Sequence, residues 1–152
     1  MRAGFIFGHS SMILAVPFDP FAPFCFMGEE LSLSVRLWTS GFDIYAPSVD
    51  VLRHWYGRHD AVKFWESIAI VYDDAGMHNR LTNLTIQRLM HLASYPEAKT
   101  ADLVSPADIL VQLSKYGLGS QRRLSDFLQM VGLDVWNKTT RTQLWCIEGT
   151  EP

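Results

Sequence analysis

The chain has 152 residues, 48% of them hydrophobic, enough for one domain with a packed core and too apolar for a disordered segment. Thirteen basic against sixteen acidic residues give a net charge of -3, which argues against a nucleic-acid surface or a patch for anionic membranes. No apolar run approaches the roughly 18–20 residues of a membrane span.

In chain order, Ala3 to Gly8 predicts a short strand, and Ser10 or Ser11 can cap a brief helix running to Val16. Pro17, Pro20 and Pro23 then impose an extended, aromatic-rich loop. A helix is predicted to open at Glu29-Glu30, to carry Leu31, Leu33, Val35, Leu37 and Trp38, and to end at Gly41. Asp43 to Pro47 and Val49 to Arg53 read as strands.

After Arg58 the pattern turns helical. Helices are predicted over Val62 to Tyr72, Leu81 to Ala93, Pro106 to Lys115 and Leu124 to Val131, the last stopped by Gly132. Pro106 suits a first helical position after Ser105. The division expected is a mixed α/β portion over residues 1–60 and a mainly helical region over 61–152.

His54 ends a predicted strand, and ligands bind at the carboxyl ends of strands in open α/β sheets. Its imidazole suits manganese or zinc; the alternative is a hydrogen-bonded structural histidine. Glu29 and Glu30 can hold a sugar or acceptor hydroxyl, or can simply complement the helix dipole. Gly28 before them lets the backbone approach a ligand closely. Arg58 can neutralise a phosphate or form a surface ion pair.

Nucleophilic catalysis has no support: there is no G-x-S-x-G elbow, and Cys25 between two phenylalanines reads as a packed thiol. Asp73-Asp74 lies in helical context and lacks the one-residue spacer of a D-x-D metal motif. Cys25 and Cys146 are far apart in sequence, which points to a reducing compartment.

The ordered series VPFDP at 16–20, Phe26-Met27-Gly28-Glu29-Glu30, Arg36-Leu37-Trp38-Thr39, Gly41-Phe42-Asp43, Pro47 and His54-Trp55-Tyr56-Gly57-Arg58 resembles one family. It is the GlcNAc-transferase family typified by the cytoplasmic enzyme that modifies hydroxyproline on the adaptor subunit of SCF ubiquitin ligases. Tyr116-Gly117-Leu118-Gly119, Arg123 and Gly132-Leu133-Asp134 look like that family's C-terminal signature. The same order is similar to the second half of the mucin-type polypeptide GalNAc-transferases.

The resemblance implies the C-terminal portion of a GT-A type α/β nucleotide-sugar transferase domain, followed by a helical tail. It implies a UDP-GlcNAc donor, an acceptor protein, a divalent metal, usually manganese, and transfer with retention. It gives His54 the metal-ligand role, puts Glu29 and Glu30 at the acceptor or donor sugar, and sets Tyr56 and Arg58 beside the diphosphate. The uridine-binding strands and D-x-D pair are expected to precede Met1, so the chain alone is expected to be inactive. A different class of function, a non-catalytic module that binds a protein partner through the transferase fold, stands beside the enzymatic expectation.

Overall fold

The structure is a computed structural model that describes residues 5–26, 28–53, 63, 66–67 and 75–141. Helix α1 spans Ser11–Ala15 and α2 spans Glu29–Thr39. Helix α3 spans Ala75–Leu92, and 3-10 turns follow at Pro96–Ala98 and Thr100–Asp102. Helices α4 (Pro106–Ile109), α5 (Leu113–Tyr116) and α6 (Leu124–Met130) precede strands β1 (Leu133–Asp134) and β2 (Thr139–Thr140). The two strands pair antiparallel, Leu133 opposite Thr140 and Asp134 opposite Thr139.

Helix α2 forms where expected. Gly28, at φ 94°, turns the chain into it, and Glu29 and Glu30 occupy its first turn. Gly41, at φ 90°, takes the left-handed conformation that ends it, as the sequence predicts. Val35, Leu37 and Thr39 are buried, and α2 packs on α6 with Trp38 and Phe127 ring centroids 6.0 Å apart. Burying side chains such as Val35 and Leu37 contributes roughly 1.5–3 kcal/mol each. A second cluster forms where Ala98, Leu103 and Ile109 close against Leu84, Met90 and Leu110. His91 supports it by a 2.8 Å hydrogen bond between Nδ1 and the Ala98 carbonyl.

Three expectations need correction. Residues 5–8 and 43–53 form no strands, although their side chains favour extended backbone. A strand needs a neighbour for its backbone groups, and the only ladder among the described residues is the β1–β2 hairpin. Helix α3 is already formed at Ala75, six residues before the apolar period shows it, and its first described turns carry polar residues that a helix tolerates. The helix expected over Pro106 to Lys115 is broken at Gln112, whose φ of 48° is left-handed. That break leaves the carbonyls of Ile109 and Val111 free to accept bonds from Arg88. The expected helix over Val62 to Tyr72, and the boundary at residue 60, lie largely outside the described residues.

Candidate functional site

The candidate site is assembled around the loop at residues 17–26. Asp19 folds it locally, its Oδ1 accepting from the Phe21 backbone N–H at 2.9 Å. Three side chains on one face of α3 hold it. Arg88 Nε donates to Asp19 Oδ2 at 2.7 Å, Thr85 Oγ1 donates to the Pro23 carbonyl at 2.7 Å, and His78 packs on Phe24 with centroids 4.8 Å apart. The spacings of seven and three residues between them place all three on the same helical stripe. From the other side, Arg36 of α2 donates to the Pro17 carbonyl at 2.6 Å.

Arg88 is the most enclosed of these groups, its side chain 0% exposed against 5% for Asp19. Nη1 donates to the Ile109 carbonyl at 2.5 Å and to Val111 at 2.9 Å, and the guanidinium lies 5.6 Å from the Phe21 ring centroid. Arg88 Nη2 and Arg36 Nε are buried without a hydrogen-bond partner. Burial lowers the Arg36 pKa below its ordinary value; the Asp19 carboxylate opposes that shift and the like charge of Arg88 adds to it. The one buried carboxylate is bonded to Arg88, and Arg36 lies within its field.

The loop leads directly into a cavity of about 300 Å³ lined by Phe24, Cys25, Phe26 and Glu29. Phe24 takes a left-handed φ of 57° at its entrance. The Glu29 carboxyl titrates above its ordinary range, first because it is partly buried and second because Glu30 lies beside it. The helix dipole at this end of α2 favours the charged form and so opposes that shift. The Cys25 thiol is raised from 9.0 to about 11 by burial, then by Glu29, Asp19 and Glu30. It is a poor nucleophile and a packed wall of the cavity, which agrees with its sequence context. The lining is one carboxylate beside two aromatic rings and a thiol, and the space is open to solvent.

The Tyr116–Gly119 stretch is bound to the other end of α2. Gly119 N–H donates to Thr39 Oγ1 at 2.8 Å, and the Gln121 N–H donates to the Thr39 carbonyl at 2.8 Å. A Cβ at Gly119 would meet the Thr39 carbonyl oxygen at 2.5 Å and Ser40 Cα at 2.6 Å, so this close approach needs glycine. Arg122 completes the contact, donating to the Gly41 carbonyl at 3.0 Å and to Asp43 Oδ1 at 2.7 Å, with its guanidinium 4.5 Å from the Trp38 ring centroid. Tyr116 meets Phe21 edge-on at 5.7 Å, so two motifs separated by nearly a hundred positions share one packed unit.

Of the residues singled out from sequence, Glu29 and Glu30 start α2, with Glu29 on the cavity wall. His54, Tyr56 and Arg58 lie outside the described residues. Among the described residues no three His, Cys, Asp or Glu side chains come close enough to hold a metal ion. The described residues therefore do not by themselves fit a metal centre. Arg88 and Thr85 were missed by sequence reasoning; the signal that could have found them is polar residues on the inner stripe of an amphipathic helix.

The family model described as Glycosyltransferase (GlcNAc) matches residues 1–137. The chain belongs to that glycosyltransferase family. No curated protein and no solved structure matches it. No helix among the described residues is long and apolar enough to cross a membrane.

Proposed function

We propose that the chain is the C-terminal part of a GT-A type transferase that moves N-acetylglucosamine from UDP-GlcNAc to a protein hydroxyl, with retention, in the cytoplasm. The observation that carries this reading is the family match over residues 1–137, supported by the cavity beside the acidic pair. In this reading Glu29 and Glu30 accept hydrogen bonds from acceptor or sugar hydroxyls, and Phe24 and Phe26 pack on apolar faces of the same ligand. Aromatic walls and a fixed carboxylate hold the acceptor oxygen near the sugar before reaction, which lowers the entropic cost of the encounter. The bond from the anomeric carbon to the diphosphate breaks as the bond to the acceptor oxygen forms, and the departing phosphate takes the acceptor proton. No separate protein base is then needed.

The sequence resemblance extends this to an enzyme of the hydroxyproline-modifying type, with Tyr56 and Arg58 at the diphosphate and His54 as ligand to a divalent metal, manganese by preference. A metal there would supply charge stabilisation for the leaving diphosphate.

The test is UDP-GlcNAc hydrolysis, and transfer to a hydroxyl-bearing peptide, with manganese present. It is run on this chain and on a form extended at its N-terminus, each with and without Glu29→Gln. Turnover that falls at least about tenfold in the variant supports the reading. Absence of both hydrolysis and transfer from both forms defeats it. A second reading, a non-catalytic protein-binding module, draws on Tyr45 and Val49, which are 84% and 70% exposed on an extended segment. Donor turnover in the same assay removes that alternative.

A further inference from the structure

Arg88 links α3 to two other segments of the fold. One guanidinium joins the loop at Asp19, the ring of Phe21 and the carbonyls of Ile109, the last residue of α4, and Val111 just after it. Thr85, one turn earlier, holds the Pro23 carbonyl. Between those anchor points and Gly28 the chain has only Phe24, Cys25, Phe26 and Met27. The position of the cavity wall is therefore fixed within a few residues of the anchors, and a left-handed Phe24 leaves that path little freedom to drift.

We propose that Arg88 is a positioning residue for the Glu29 cavity: by clamping Asp19 and two carbonyls at once, it sets the path of loop 17–26 and so places Phe24, Cys25 and Glu29 around one space. This rests on the reading that the cavity receives a hydroxyl-bearing ligand. The clamp needs arginine rather than a general cation. Lysine has one nitrogen and cannot donate along Nε to a carboxylate while Nη1 spans two carbonyls. The charge excess of two arginines over one aspartate makes the arrangement sensitive to either partner, because removing Asp19 leaves two like charges buried together.

Cys25 reports on the clamp independently of catalysis. It stands on the cavity wall, and the carboxylates facing it are Glu29 and Glu30 of α2 and Asp19 of the loop. In a Cys146→Ser background Cys25 is the only thiol of the chain. The measurement is its alkylation rate by iodoacetamide against pH, at a temperature well below unfolding, with helical circular dichroism recorded on each variant. Arg88→Met and Arg88→Lys are expected to release the loop, return the thiol toward its ordinary titration, and speed alkylation near pH ~8 by about tenfold, since the gain in thiolate is partly offset by its lower nucleophilicity. Thr85→Val is expected to give a smaller acceleration, one carbonyl tether being lost.

Val135→Ala is the control, a buried truncation at a residue that neither bonds to the clamp nor lines the cavity. It should destabilise the chain and leave the Cys25 profile unchanged. An unchanged Cys25 rate in folded Arg88→Met overturns the proposal, and so does an equal acceleration in Val135→Ala. If Arg88→Met does not fold, Arg88→Lys, which keeps the buried charge, decides alone, with the same acceleration expected and an unchanged rate again decisive against the proposal. A preparation that never turns over UDP-GlcNAc but shows the Cys25 response upholds the clamp and counts against the transferase reading alone. Turnover lost in Arg88→Lys with Cys25 unaltered overturns the clamp and leaves that reading standing.

Discussion

The loop at residues 17–26 and the segment at residues 42–53 look alike in composition, each rich in aromatic or β-branched residues and interrupted by proline. Their fates differ. The first is held by Arg36, Thr85 and Arg88, which donate to its carbonyls and to its one carboxylate. The second is tied at its start by Arg122 to Asp43 and then runs with Tyr45, Val49, Val51 and Leu52 exposed. An irregular segment can be buried only if side chains satisfy its backbone, and the helices supply those side chains to one segment and not to the other. Apolar content alone did not decide which became part of the packed unit.

The largest break in that contrast should come from Asp19→Ala. It strips the buried Arg88 guanidinium of its carboxylate, removes a favourable charge near Arg36, and should cost roughly 3–5 kcal/mol in urea unfolding, which is the scale for removing one partner of a buried pair. A cost below about 1 kcal/mol, the range of exposed ion pairs, would show that the hub is solvated. Gly119→Ala comes next. Its methyl group meets backbone of Thr39 and Ser40 and should cost about 1–3 kcal/mol by the same measurement.

Glu29 sharpens the comparison by pH. Its folded pKa is raised, so its favourable contribution is full below the unfolded value and is lost as pH rises through the folded value. Thermal scans across the acid range should show that decline. Glu29→Gln should flatten it and leave the neutral-pH protein more stable by less than about 1 kcal/mol. A steeper decline in the variant would contradict the assignment of burial as the cause. The smallest effect should be Val51→Thr in the exposed segment, within about 0.5 kcal/mol of the parent. A larger loss there would mean that the segment is covered in solution.

Helix α2 was legible because its signals are local: an acidic first turn, an apolar period and a terminating glycine each act on backbone or side chains only about four residues away. The family was legible for a related reason, since short motifs in a fixed order survive in sequence even where each is weak. Position within the site was less so. Glu29 was singled out, but that it shares a cavity wall with Cys25 and two phenylalanines depends on the turn at Gly28 and on anchors from α3. Strands at 43–47 and 49–53 were misread because β-propensity describes how side chains fit a sheet, and the sheet must come from elsewhere in the fold.

The sequence by itself determined the helices with strong periodicity, the glycines at 28, 41 and 132, which the structure places at positive φ, and membership of a GlcNAc glycosyltransferase family. Tertiary structure alone decided that Arg88 pairs with Asp19 across 69 positions, that Gln112 breaks a helix so two carbonyls can meet that arginine, and that Gly119 seats against Thr39. The physical reason is the same in each case. A buried charge or backbone group must find a partner wherever the packed chain brings one, and that partner's identity is set by three-dimensional proximity rather than by sequence neighbours.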